Sequence, residues 1–169
     1  MGEEADKETM SAEPDLSKVV LWSTYLASKP DDQDLIEMHY SDAKGYLQFF
    51  DWCLEIRESY IGMLYPGILA IFLFRIVPGD NADEWIWIIV GDLPPAYLTV
   101  DTCPNPATAL DGYIGAMQEW VGAALEGRSV ADLIPVDVPA TREHAEMLQS
   151  RLEFLDERFL SEYQDDLKA

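Results

Sequence analysis

The sequence predicts an α+β domain, in which a three-stranded antiparallel meander is flanked by about four helices. Apolar residues make up 49% of the 169-residue chain, enough to bury a core without disulfides or structural metal. Three extended segments near the middle of the chain are separated by short turns that are polar or contain Pro and Gly, a pattern typical of consecutive antiparallel strands. Apolar residues at helical spacing lie on both sides of these segments.

The N-terminal part is predicted to contain an acidic tail followed by two helices. Residues 1–14 carry five acids and no apolar periodicity, which is typical of a disordered tail, and residues 15–169 form a single domain. Asp15 is the predicted N-cap of a short helix that ends at Lys29-Pro30. Residues 35–40 fit either a short strand or a helical turn.

A longer helix is predicted from Ser41 to a point before Tyr65-Pro66-Gly67, where Pro and Gly end it. The evidence is a set of apolar residues that recur at three and four positions: Tyr46, Phe49, Phe50, Cys53, Leu54, Tyr60 and Ile61.

The predicted strands are Ile68–Val77, Trp85–Val90 and Ala96–Val100. The first two are almost continuously apolar rather than alternating, which indicates that both of their faces are covered. Helices of the chain or a partner subunit must provide that cover.

Two helices are predicted after the strands. Asn105-Pro106 is a typical helix start, and Gly127 stands where a left-handed cap ends a helix. Three glycines lie inside this helix: Gly112, Gly115 and Gly122. They are explained either by another backbone that approaches closely or by a surface position where glycine is tolerated. The last helix is predicted over residues 141–163, packed within the chain along Ala145, Leu148, Leu152, Leu155 and Phe159.

The charge of the chain restricts its partners. Thirty-two acidic and 11 basic residues give a net charge of −21, which repels nucleic acid and anionic membranes and attracts a basic protein. An acidic surface that only confers solubility, or adapts the protein to a salty habitat, is the alternative. No apolar run is long enough to span a membrane, and no secretory signal is recognised. A cytoplasmic protein with two free thiols is therefore expected.

The search for catalytic chemistry finds no established motif. Dinucleotide, P-loop, HExxH and GxSxG patterns do not occur, and with two histidines the sequence predicts neither a metal site nor a cofactor. Asp92 and Asp101 each follow a predicted strand. Because consecutive antiparallel strands end at opposite edges, these acids are not expected to act as a general acid/base pair.

An aromatic binding surface is the candidate site. Trp85 and Trp87 share one face of a strand, Tyr97 lies on the next strand, and Asp92 follows in the turn between them. Two exposed tryptophans beside a tyrosine are typical of protein recognition. The same tryptophans as core beneath a helix, with Asp92 capping its turn, are the alternative.

Four stretches, taken in order, resemble an uncharacterised bacterial family known only as a domain of unknown function. They are YPGILAIFLFRIVPG, EWIWIIVGDLPPAYL, NPATALDGYIGAMQEWV and SVADLIPVDVPATREHAEMLQSRLEFL. The resemblance covers about residues 60–156, implies a bacterial origin, and transfers no activity or site residues.

The function expected from these observations is a non-enzymatic protein-binding module, of antitoxin or immunity type, with a basic protein partner. Two alternatives stay open: a structural or housekeeping domain, and a small enzyme that uses Asp92 or Asp101 with Tyr97. A homodimer through the sheet or through the last helix is also left open.

Overall fold

Five antiparallel strands form one sheet in the order in which they occur in the sequence, β1-β2-β3-β4-β5. The structure is a computed structural model, and it describes residues 13–79 and 82–168. The strands are β1 (Val20–Leu21), β2 (Cys53–Tyr65), β3 (Leu69–Pro78), β4 (Trp85–Gly91) and β5 (Ala96–Thr99). Each strand pairs with the next in antiparallel orientation.

Helices cover both faces of this sheet. They are α1 (Trp22–Ala27), α2 (Gln33–Gln48), α3 (Pro106–Glu126), α4 (Arg142–Arg158) and α5 (Gln164–Leu167), with 3-10 turns at Leu16–Lys18 and Leu160–Tyr163. Residues of α1 and α2 pack against one face, and residues of α3 and α4 against the other.

Strands β3 and β4 supply both cores because their side chains alternate between the two faces. Ile71 and Trp87 point towards α3 and α4. Phe72 and Ile88 point towards α1 and α2. All four side chains are fully buried. The expectation that both faces of these strands are covered is therefore confirmed, and of the two sources left open, helices of the chain provide the cover.

The predicted α+β class and the antiparallel meander are confirmed, but the predicted number of strands is wrong, since the sheet has five rather than three. The three predicted strands occur within one residue of their expected bounds. Helix α3 begins and ends as predicted: the Asn105 side chain accepts a hydrogen bond from the Thr108 N–H, and Gly127 takes a left-handed conformation.

The predicted helix from Ser41 to before Tyr65 is wrong in its second half. Helix α2 ends at Gln48 and the chain continues as β2. Register shifts interrupt the pairing of β2 with β3 between Cys53 and Glu55, between Ile56 and Glu58, and again near Met63. Because each shift inserts a residue into the strand, apolar side chains recur at three positions instead of two and imitate a helix.

The predicted N-terminal helix is divided into three elements. Asp15 caps the 3-10 turn through a hydrogen bond from the Ser17 N–H, β1 pairs with Tyr60 and Ile61 of β2, and α1 follows. Residues 35–40, which the sequence leaves open, belong to α2. The helix predicted over residues 141–163 corresponds to α4, which ends at Arg158. Residues 1–12 of the predicted tail lie outside the described residues.

His39 joins α2 to the turn between β2 and β3. Its side chain is buried, and its Nε2 accepts a hydrogen bond of 2.9 Å from the backbone N–H of Gly67. Burial lowers the pKa of His39, and the nearby carboxylate of Asp42 opposes that shift. A protonated ring would place an N–H against the N–H of Gly67, so the folded state requires neutral His39.

We expect His39→Gln to reduce the loss of stability in acid. Because the pKa of His39 is lower in the folded than in the unfolded chain, its contribution to stability is complete above about pH 6.5. That contribution is lost as the pH falls from there through the folded-state pKa. Thermal unfolding at about pH 7.5 and about pH 5.5 should show a larger fall of Tm for the wild type than for the variant. Equal changes of Tm in the two proteins would contradict this role.

Candidate functional site

The two tryptophans of the predicted binding surface lie on the α3 side of the sheet. Trp87 is 0% exposed and donates a 2.5 Å hydrogen bond from its indole Nε1–H to the carbonyl of Cys103. Trp85 is also buried, with the guanidinium of Arg75 5.3 Å from its ring centroid. Both rings are part of the core on this face.

Tyr97 lies on the other face of the sheet. It pairs with Ile88, whose side chain packs on the α2 side, and 37% of Tyr97 is exposed. The structure therefore does not bring Tyr97 together with Trp85 and Trp87.

A different set of rings surrounds Tyr97 and forms the candidate site. We call it the aromatic cluster: Tyr46, Phe49, Phe50, Trp52 and Tyr97. Phe50 is its centre, with ring centroids 5.3 Å from Tyr46, 5.6 Å from Phe49, 4.9 Å from Trp52 and 5.2 Å from Tyr97. Trp52 and Tyr97 also contact each other, with centroids 5.1 Å apart.

Phe49, Phe50 and Trp52 lie in the tight connection between α2 and β2. The N–H of Cys53 bonds to the carbonyl of Phe50 at 3.1 Å, and the carbonyl of Trp52 accepts from the N–H of Gly79 at 2.8 Å. The sequence places three aromatic residues within four positions of this connection, and Phe50 and Trp52 are only partly buried there. Phe49 is left 81% exposed, the highest exposure among the large apolar side chains that the structure describes.

The cluster is electrically neutral, and its surroundings are acidic. Burial raises the pKa of Tyr46, with a smaller contribution from Tyr97, so the Tyr46 hydroxyl stays protonated at physiological pH. Asp51 lies between Phe50 and Trp52 in the chain and is exposed. Asp83 is exposed as well and lines a small cavity together with Trp52 and Tyr97.

That cavity has a volume of about 180 Å³ and lies beside the cluster. It is lined by Trp52, Ala82, Asp83, Ile86, Tyr97 and Thr99. The hydroxyl of Thr99 donates a 2.5 Å hydrogen bond to the carboxylate of Asp101, which lines the neighbouring cavity together with Asp83 and Arg57. The arrangement combines aromatic faces with acceptor oxygens, which suits a cationic group.

Asp92 lies elsewhere, in the turn after β4. Its carboxylate is exposed and pairs with Arg151 of α4 at 3.1 Å, a surface ion pair worth at most about 1 kcal/mol. Because Ile89 pairs with Ala96 and Ile86 with Thr99, Asp92 and Asp101 lie at opposite ends of the β4–β5 hairpin. As expected from the sequence, they do not form an acid/base pair.

Sequence reasoning missed Phe49, Phe50 and Trp52 as site residues, since helical spacing places the first two on a buried stripe. The signal that could have identified them is the run Phe49-Phe50-Asp51-Trp52. Neighbouring residues diverge by about 100° around a helix, so no single helical face buries all three rings.

Two further properties concern the part of the chain that the structure describes. No helix within residues 13–79 and 82–168 has both the length and the apolar character that a bilayer span requires. The same residues contain no group of three or more His, Cys, Asp or Glu side chains arranged to hold a metal ion.

Comparisons with protein-family models, with curated proteins and with solved structures find no match to this chain.

Proposed function

We propose that this protein is a non-enzymatic binding module, of antitoxin or immunity type, that captures a basic protein through the aromatic cluster. The observation that carries the proposal is the 81% exposure of Phe49 on a continuous group of five rings, in a chain with a net charge of −21.

The apolar part of the proposal rests on the continuity of the cluster. Single exposed apolar side chains are normal on protein surfaces, whereas contiguous patches mark interaction sites. Covering one phenylalanine ring contributes about 1.5–3 kcal/mol. The residues that dominate binding energies are enriched in Trp and Tyr and cluster near the centre of an interface. Phe49 is placed to enter a partner's pocket, with Trp52 and Tyr97 beside it.

The electrostatic part concerns the rate and selectivity of association. A net charge of −21 produces a negative potential around the molecule, which accelerates encounter with a basic partner and weakens as salt screens it. Asp51 adjoins Phe50 in the chain, and Asp83 lines a cavity with Trp52 and Tyr97, so both offer carboxylates to a partner at this surface. A basic surface with an apolar pocket is therefore the complementary partner.

Affinity capture with matched variants tests this proposal. The wild-type chain should retain a basic protein at about 0.05 M NaCl and release it at about 0.5 M, where the Debye length falls to a few ångströms. Phe49→Ser should reduce retention at least about tenfold, the loss expected for an aromatic hot spot. Met147→Ser, which removes an apolar side chain of α4 that is 52% exposed, is the control and should retain the partner normally.

The proposal fails if Phe49→Ser and Met147→Ser retain the same proteins, or if the proteins that depend on Phe49 are acidic. Recovery of further copies of this chain alone would instead indicate a homodimer. A bacterial origin and a cytoplasmic location stay predictions from the sequence.

A further inference from the structure

We infer that the cavity beside the aromatic cluster receives the guanidinium of an arginine from the partner, an inference that rests on the proposed function. Its volume of about 180 Å³ lies below the roughly 300–1,000 Å³ of sites for separate small molecules. The size suits one inserted side chain. The chemistry of the lining identifies which side chain it is.

Two aromatic rings form walls at a steep angle to each other. The planes of Trp52 and Tyr97 meet at 64°, with ring centroids 5.1 Å apart. Phe50 stacks on one face of Trp52, so a flat guanidinium would stack on a ring face that borders the cavity, with its N–H edge free for hydrogen bonds. The ammonium group of a lysine is compact and strongly hydrated, so it gains less from contact with aromatic rings.

The carboxylate of Asp83 completes the site. It lines the same cavity as the two rings, and no Lys or Arg of the described residues lies in that lining. Thr99, also in the lining, holds the carboxylate of Asp101 by a hydrogen bond. Aromatic faces and the Asp83 carboxylate are thus present together in this cavity. Arg57 lines the neighbouring cavity, which Asp83 also borders, but it does not line this one.

On the other face of the sheet, a tryptophan and a carboxylate of the chain already bind an arginine. There the guanidinium of Arg75 lies 5.3 Å from the ring centroid of Trp85, and its Nε bonds to Glu84 at 2.5 Å. Tryptophan and carboxylate hold an arginine of the chain itself. Trp52 and Asp83 line one cavity, and among the described residues no arginine or lysine of the chain lines it with them, so the arginine would come from the partner.

Titration of the full chain with an arginine analogue tests the inference. The probes are N-acetyl-arginine methylamide and N-acetyl-citrulline methylamide, its neutral isostere, and the readout is the indole Nε1–H signal of Trp52 in ¹H–¹⁵N spectra. The arginine probe should shift this signal with saturation. The citrulline probe should bind about fivefold more weakly, because it lacks the cation–π and ion-pair contributions.

Variants assign the effect to the site. Asp83→Asn should weaken binding of the arginine probe about fivefold, while Glu153→Gln, which removes an exposed carboxylate of α4, should leave it unchanged. Trp87 and Trp120 are buried, so their indole signals serve as internal references. Equal binding of the two probes, no effect of Asp83→Asn, or no shift of the Trp52 signal would each overturn the inference.

Failure of this inference can be told apart from failure of the proposed function. Retention of a basic partner that depends on Phe49 but is unaffected by Asp83→Asn would leave the proposed function standing and remove the arginine site. Binding of the arginine probe without any partner that depends on Phe49 would contradict the proposed function and the protein origin of the arginine.

Discussion

Trp87→Ala is expected to lower the free energy of unfolding by about 5 kcal/mol, the largest effect predicted for a single substitution in this chain. The side chain is 0% exposed and lies between the sheet and α3. Removing a buried tryptophan loses its transfer free energy and leaves a cavity, together about 3–5 kcal/mol. The carbonyl of Cys103, which accepts the indole hydrogen bond, also loses its partner, at a cost of about 1–3 kcal/mol.

Urea unfolding followed by circular dichroism measures this loss. Trp87→Phe separates its two parts, since it keeps most of the apolar volume and removes the indole donor, and it should lose about 2 kcal/mol. Trp52→Ala is the matched control: this ring is only partly buried, so its removal should cost under about 1.5 kcal/mol. A loss below about 2 kcal/mol for Trp87→Ala would show that the ring does not occupy a packed core.

Gly91→Ala is expected to destabilise the fold by about 3 kcal/mol or more. Gly91 ends β4 with a φ of +141°, a conformation that residues with a side chain rarely adopt. A Cβ at this position would also lie 2.3 Å from the carbonyl oxygen of Ile68. That oxygen accepts the backbone hydrogen bond of Asp92, so moving it away would break the end of the β3–β4 pairing.

The same substitution at Gly115 should have the opposite sign. Gly115 lies inside α3, and a Cβ there would meet nothing within 4 Å. Alanine is expected to stabilise the chain by about 0.5–1 kcal/mol, because glycine loses more backbone entropy on folding. Thermal unfolding of the two variants side by side checks both signs. A fall of Tm for Gly115→Ala would contradict the open space described around Gly115. An unchanged Tm for Gly91→Ala would contradict the close approach described at Gly91.

The parts of the fold that were predicted correctly depend on local rules. The strands β3, β4 and β5 are bounded by Pro and Gly turns, and α3 carries its own start and stop signals in Asn105 and Gly127. Such signals act over a few neighbouring residues, so they can be read without knowing the rest of the molecule.

The errors occurred where pairing between strands decides the local structure. Residues 53–65 carry a spacing that imitates a helix, yet β3 needs a partner along its free edge, and ten residues of β2 pair with it. Likewise β1 exists only through its pairing with Tyr60 and Ile61. In both cases, backbone hydrogen bonds to a neighbouring strand outweigh a weak local preference.

The candidate site shows the same division. Tyr97 can be selected from the sequence, but the pattern groups it with Trp85 and Trp87, which point to the other face. Phe49, Phe50 and Trp52 come to Tyr97 because the end of α2 and the connection to β2 lie against β5, an arrangement that no local pattern encodes.

Composition, turn residues and apolar runs act locally or as sums, so they were enough to predict the α+β class, the antiparallel meander, the coverage of both faces and the net acidity. Only the folded arrangement showed which strands complete the sheet. It also showed that the tryptophans belong to the core and which rings remain exposed. Burial is a property of packing: a side chain is covered only when an element distant in sequence lies against it.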